Sequence, residues 1–133
     1  MAYQDPEWNA RHVPLRTLII DDNAAFLAAA RAVLDGSEFA VVGEAASAPE
    51  AVRMLEELEP DVILLDIDLG EDSGFAVAGR LAERAASVGA KLVLISSHPE
   101  EQFAELIAES PALGFLGKEE LSPRSLAELL QNP

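Results

Sequence analysis

Cysteine is absent from the 133 residues, which excludes disulfides and thiolate metal sites and fits an intracellular setting. Basic residues are scarce: 9 Lys and Arg stand against 24 Asp and Glu, for a formal net charge of −15. A surface of that sign repels nucleic-acid phosphate, so no direct binding to nucleic acid is expected. Some of the acidity is expected to gather in a site that takes a cation. No apolar run reaches membrane-spanning length, and residues 1–14 lack the apolar centre of a signal peptide. A cytoplasmic protein with no membrane contact is the expectation. Internal repeats and low-complexity tracts are missing as well. What remains is a half-apolar chain of a length that suits one domain with a proper core.

The most telling stretch is residues 61–70, Asp-Val-Ile-Leu-Leu-Asp-Ile-Asp-Leu-Gly. Val62 to Leu65 form an unbroken apolar run of strand length, the texture of a strand covered on both faces of a parallel sheet. It ends abruptly in Asp66. Similar runs occur at Leu15–Ile20, Phe39–Gly43, Lys91–Ile95 and Leu113–Leu116. Between them the apolar residues recur at helical spacing. The first helix carries Phe26, Leu27, Ala30, Val33 and Leu34 and stops at Gly36. The second opens on Ser47-Ala-Pro-Glu50, a capping box, and stops at Pro60. The third runs from Gly74 to about Val88, and the fourth turns Phe103, Leu106 and Ile107 inward. The fifth opens on Ser122-Pro123, with Leu126, Leu129 and Leu130 inward, and runs to the end of the sequence. No room for an output domain is therefore expected, while a receiver excised from a longer transcription factor would end in the same way. Residues 1–14 hold two prolines and no periodicity, and they read as an extension in which Trp8 rests on the domain and His12 is solvated. Residues 15–131 make the domain. Strands alternating with helices over short connections call for an α/β fold, with a parallel sheet covered on both faces.

Chemistry gathers at the carboxyl ends of the strands. Asp21-Asp22 follow the first, Asp66 ends the third, Ser96 follows the fourth and Lys118 follows the fifth. In a doubly wound sheet all of these face one edge, at the switch point where ligands bind. Carboxylates crowded there repel one another unless a cation joins them, and Mg²⁺ suits such a donor set. With Lys118 and a hydroxyl at Ser96, the inferred ligand is a phosphoryl group and Asp66 is a competent nucleophile for it.

Taken together, Asp21-Asp22, Val-Ile-Leu-Leu-Asp66, Leu-Ile-Ser96-Ser and Gly-Phe115-Leu-Gly-Lys118 resemble the receiver domain of two-component response regulators. The likeness covers about residues 15–131. It implies a flavodoxin-like, doubly wound, five-stranded parallel sheet of order 2-1-3-4-5 with five helices. It also implies roles. Asp66 would accept phosphate from a histidine kinase or phosphotransfer protein. Asp21, Asp22, Asp66 and the backbone carbonyl of Asp68 would hold Mg²⁺. Ser96 and Phe115 would be the switch pair, and Lys118 would pair with the phosphate. Gly74, eight residues past Asp66, falls where the family places a glycine. Asp68 and His98, each two residues past a site residue, would tune dephosphorylation. The chain would then be a signalling switch that catalyses only its own phosphorylation and dephosphorylation, read by a downstream protein at the face of helix four, strand five and helix five. Its assembly, monomer or homodimer, is open. Two positions depart from the family: Gly70 and Glu119 stand where many members have proline. With Glu119, the cis bond common after the lysine is not expected, since a non-proline cis peptide costs about 2.5–4 kcal/mol. The wording Gly-Phe-Leu-Gly-Lys-Glu-Glu-Leu is closer to receivers of helix-turn-helix regulators.

Plainer readings compete. Asp66 could cap a turn, Asp21-Asp22 the first helix, and Ser96 or Ser97 the fourth; Phe115 could be core and Lys118 surface. A receiver-like module that binds protein without phosphorylation is one alternative. A haloacid-dehalogenase-type phosphatase is another, since Asp66-Ile-Asp68 imitates its Asp-x-Asp motif, although that motif normally sits on the first strand.

Overall fold

Val62, Ile63, Leu64, Leu65 and Asp66 are all buried, and the strand they form sits in the middle of the sheet. The computed structural model describes residues 13–70 and 72–131. Five strands form the sheet: β1 (Leu15–Ile20), β2 (Phe39–Ala45), β3 (Val62–Asp66), β4 (Lys91–Ser96) and β5 (Gly114–Gly117). They pair in parallel throughout, in the order β2-β1-β3-β4-β5, as expected. The helices are α1 (Ala24–Leu34), α2 (Ala48–Leu58), α3 (Gly74–Ser87), α4 (Ala104–Glu109) and α5 (Pro123–Gln131).

Alternation along each strand splits the core in two. Leu18, Ile20, Ile63, Leu65, Leu92 and Leu94 face α2 and α3, where Leu55, Val77 and Leu81 meet them. Ile19, Leu64, Val93 and Ile95 face the other way, onto Leu34 of α1 and Leu126 of α5. Each such side chain contributes roughly 1.5–3 kcal/mol by leaving water, and the central strands are thereby held rigidly from both sides. Rigidity there matters because the sheet's carboxyl edge carries the site.

Local signals account for most element ends. Asn23 caps α1, its side chain accepting the Phe26 amide at 3.1 Å. Ser47 caps α2 through the Glu50 amide at 3.3 Å, while Glu50 reaches back to the Ala46 amide at 2.6 Å, one residue beyond the expected partner. Glu59 ends α2 as a left-handed cap at φ 46°, its amide donating to the Leu55 carbonyl, and Pro60 bars any continuation of the helix.

Three features differ from the sequence expectation. Between β3 and α3, Asp68–Leu69 pairs antiparallel with Asp72–Ser73 in a two-residue ladder, unforeseen because it is so short. The fourth helix opens as a 3₁₀ turn over Glu100–Phe103 before α4 proper. Leu106, expected inward, is 49% exposed, whereas Phe103 and Ile107 pack on the core. Within this six-residue helix Ile107 takes the core side and Leu106 falls toward solvent. Trp8 and His12 lie outside the described residues. Among the described residues no helix is long and apolar enough to cross a membrane.

Candidate functional site

Strand register brings the chemistry-bearing residues to one level. Ile20 lies opposite Leu65, Asp66 opposite Ile95, and Ser96 opposite Gly117, so the residues that follow or end each strand meet at the same edge. Asp21, Asp66 and Ser96 are buried there, at 0%, 3% and 1% exposure. Asp22 points to the exposed side. One carboxylate oxygen each from Asp21, Asp22 and Asp66 lie within 4.8 Å of one another, a cluster that could hold a metal ion.

Lys118 enters this cluster from the end of β5. Its ammonium lies 2.7 Å from Asp21 Oδ2 and 3.5 Å from Asp66 Oδ2. Its side chain is only 14% exposed, so it is no surface lysine. Asp21 Oδ1 accepts the Asn23 amide at 2.8 Å. Asp21 Oδ2 is buried, and its close polar neighbour is that ammonium. The donor set of hard oxygens fits a small divalent cation.

Asp66 Oδ1 accepts the Asp68 amide at 3.1 Å. Burial pushes the Asp66 carboxyl up from the ordinary 3.8 to about 6. The charge of Asp21 adds to that rise, while the Asp68 amide and Lys118 pull against it without cancelling it. A group so poised is ionised at neutral pH and still costly to keep charged, which suits it to receive an electrophile or a cation.

The hydroxyl of Ser96 accepts the His98 amide at 2.9 Å, which leaves its own proton available to donate. Phe115, half-buried on β5, packs against the core and lines, with Ser96, His98 and Lys118, an open cleft of about 380 Å³. Asp68 and His98 meet across the mouth of the site, with Nε2 and Oδ2 3.4 Å apart and both side chains more than half exposed. Of Asp68, the amide and the side chain are thus accounted for.

Two glycines shape the floor. The Gly74 amide donates to the Ile67 carbonyl at 2.7 Å, and a Cβ at Gly74 would run into the Asp66 carbonyl oxygen. The start of α3 can therefore lie directly on the end of β3, which is the physical reason for a glycine here. Gly70 adopts φ +58°, a conformation closed to proline, with Asp22 Oδ2 only 3.3 Å from where a Cβ would stand. Among the described residues there is no cis peptide bond, so the Lys118–Glu119 bond is trans and leads into a 3₁₀ turn over Lys118–Glu120.

Sequence reasoning missed Phe26, whose ring lies 4.6 Å below the Lys118 ammonium, and Asn23, whose cap joins Asp21 to Phe26. Phe26 read only as an inward helix position, and nothing local in the sequence pairs it with Lys118.

A doubly wound sheet of this order, with a carboxylate cluster, a lysine and a buried hydroxyl at its switch point, defines an α/β module of the receiver class. The chain belongs to the response regulator receiver domain family, whose model matches residues 17–131. It is 31% identical over 106 residues to the transcriptional regulatory protein DegU of Brevibacillus brevis, covering 79% of this chain and 44% of that protein. It is 27% identical to the DNA-binding transcriptional activator EvgA of Escherichia coli K12, covering 80% of this chain and 51% of that protein. Among solved structures it is similar to the signal receiver domain of NarL from Mycobacterium tuberculosis, at 26% identity and a TM-score of 0.75, covering 90% and 98% of the two chains. The chain spans about half the length of the curated relatives it matches. These relatives overturn the expectation of no direct nucleic-acid binding. EvgA is by name a DNA-binding protein, and the acidic charge of a receiver-sized chain describes that segment alone.

Proposed function

We propose that the domain is a phosphorylation switch in which Asp66 is the phosphoacceptor. The observation that carries this reading is the Asp66 carboxylate itself. It is buried, raised in pKa, grouped with Asp21 and Asp22, and faced by the Lys118 ammonium. A phosphohistidine on a histidine kinase or phosphotransfer protein is the donor. An Asp66 carboxylate oxygen attacks phosphorus and a P–O bond forms. The P–N bond breaks, and its electron pair goes to the imidazole, which takes up a proton. Asp21, Asp22, Asp66 and the backbone carbonyl of Asp68 would hold Mg²⁺, which would supply positive charge to the phosphoryl oxygens. Lys118 pairs with the same group from the other strand end, and the free proton of Ser96 donates to it.

Readout follows from those contacts. Drawing Ser96 and Lys118 onto a phosphoryl group pulls on the ends of β4 and β5, so Phe115 repacks and the face of α4, β5 and α5 shifts its population for a downstream partner. Residues 15–131 are the working unit, residues 1–14 an extension, and the setting is the cytoplasm. By analogy with DegU and EvgA, the output is control of transcription. The domain acts as a signalling switch whose only catalysis is its own phosphorylation and dephosphorylation.

Asp68 and His98 meet at 3.4 Å across the mouth of the site, which supports assigning them control of the lifetime of the acyl phosphate. Replacing either by Ala is expected to change the rate of autodephosphorylation; an unchanged rate for both would refute the assignment. The phosphoacceptor reading is tested by intact mass after incubation with acetyl phosphate and Mg²⁺. One added phosphoryl group on the wild type and none on Asp66→Asn is expected. No adduct on the wild type, together with no binding of beryllofluoride, would leave a module that works by contact alone.

A further inference from the structure

The Lys118 ammonium has a third neighbour besides the two carboxylates, the face of Phe26 at 4.6 Å from the ring centroid. A lysine side chain is a flexible stem carrying a strongly hydrated point charge, so its position needs an external constraint. Here the nearest anion is Asp21 at 2.7 Å, with Asp66 at 3.5 Å. Those oxygens alone would let the ammonium follow whatever cation or anion enters the cluster. An aromatic face attracts a cation through its quadrupole and does not compete for phosphoryl oxygens.

The ring is itself held in place by the site. The Asn23 amide donates to Asp21 Oδ1, and Asn23 Oδ1 in turn accepts the Phe26 amide, so one short chain of hydrogen bonds runs from Asp21 to the backbone of Phe26. Phe26 also packs against the core cluster that includes Ile19, Ile95 and Leu126, as does Leu116, two residues before Lys118. The passage from β1 into the first turn of α1, residues 21–26, thus carries both the Asp21-Asp22 pair and the platform for the lysine.

We infer that Phe26 is a positioning residue for Lys118, its ring holding the ammonium over the carboxylate pocket. In its consequence for phosphoryl binding, this rests on the reading of Asp66 as phosphoacceptor. Lys91 and Lys118 are the chain's two lysines, and Lys91 is exposed, so each serves as a reference for the other. In protein labelled with ¹³C-lysine, the Lys118 Hε signals are expected upfield of those of Lys91, shifted by the ring current. Phe26→Tyr retains the shift and Phe26→Leu abolishes it. With beryllofluoride and Mg²⁺ as the probe, Phe26→Leu weakens binding by roughly two- to thirty-fold, the range a ring beneath a cation supplies. Phe26→Tyr restores it, and in a Lys118→Met background Phe26→Leu costs nothing further. Lys118 signals that coincide with those of Lys91 in the wild type would overturn the inference. So would an equal loss from Phe26→Leu in both backgrounds, which is what a purely structural phenylalanine gives. A wild type that shows the ring-current shift and binds no beryllofluoride would support the positioning role and remove the phosphoacceptor reading instead.

Discussion

At the scale of single residues, the plainer readings of the site can be judged one by one. Asp21 and Asp22 could have spent their carboxylates on capping α1, but Asn23 does the capping, and the acidic pair is left for the cluster. Ser96 does serve a turn, through the His98 amide, yet it does so as an acceptor and keeps its proton. The raised pKa of Asp66 has a consequence for stability with a definite sign. In the unfolded chain the carboxyl titrates near the ordinary 3.8, and in the fold at about 6. Between those values the folded state holds a proton that the unfolded state has lost, so stability falls as pH rises through that window and levels off above it. Asp66→Asn removes the effect. Without divalent cations, the variant is expected to gain on wild type between about pH 4 and pH 7, by on the order of 2–3 kcal/mol. Urea unfolding at the two pH values checks this, and a pH-independent difference would show that burial does not oppose the charge.

At the scale of elements, strands and well-capped helices were legible because their signals are local. An unbroken apolar run as short as Val62–Leu65, set between Pro60 and Gly70, reads as a covered strand, and Ser47 with Glu50 announces a helix start. The 3₁₀ opening over Glu100–Phe103 was not legible, because a 3₁₀ turn cannot be told from the first turn of an α-helix by spacing alone. No residue of the region Glu100–Glu109 is fully buried, and it contributes Phe103 and Ile107 as partly buried contacts. Elements with so little buried surface open at low free energy. Amide hydrogen exchange is therefore expected to be faster over residues 100–109 than over α2 or α3. Equal protection would mean that this helix is not the soft part of the readout face. The Phe26–Lys118 contact was illegible for a different reason: it joins the first helix to the last strand end, and only the folded sheet brings them together.

At the scale of the whole molecule, fold class and site followed from the order of strand-end residues, which topology then gathers at one edge. Net charge was the least transferable reading. It rightly pointed to an acidic cluster, but as a statement about nucleic acid it failed, because relatives roughly twice as long include a DNA-binding activator. The same abundance of acid makes the central claim open to a demanding test. Among 24 acidic residues, Asp66 alone is the proposed phosphoacceptor. Borohydride reduces an aspartyl phosphate to homoserine, so the acceptor can be mapped after phosphorylation by acetyl phosphate in the presence of Mg²⁺. Peptide mass spectrometry should find homoserine at position 66 and at no other acidic residue. Homoserine at position 21 or 22, or at none in protein whose mass shows the adduct, would contradict the account.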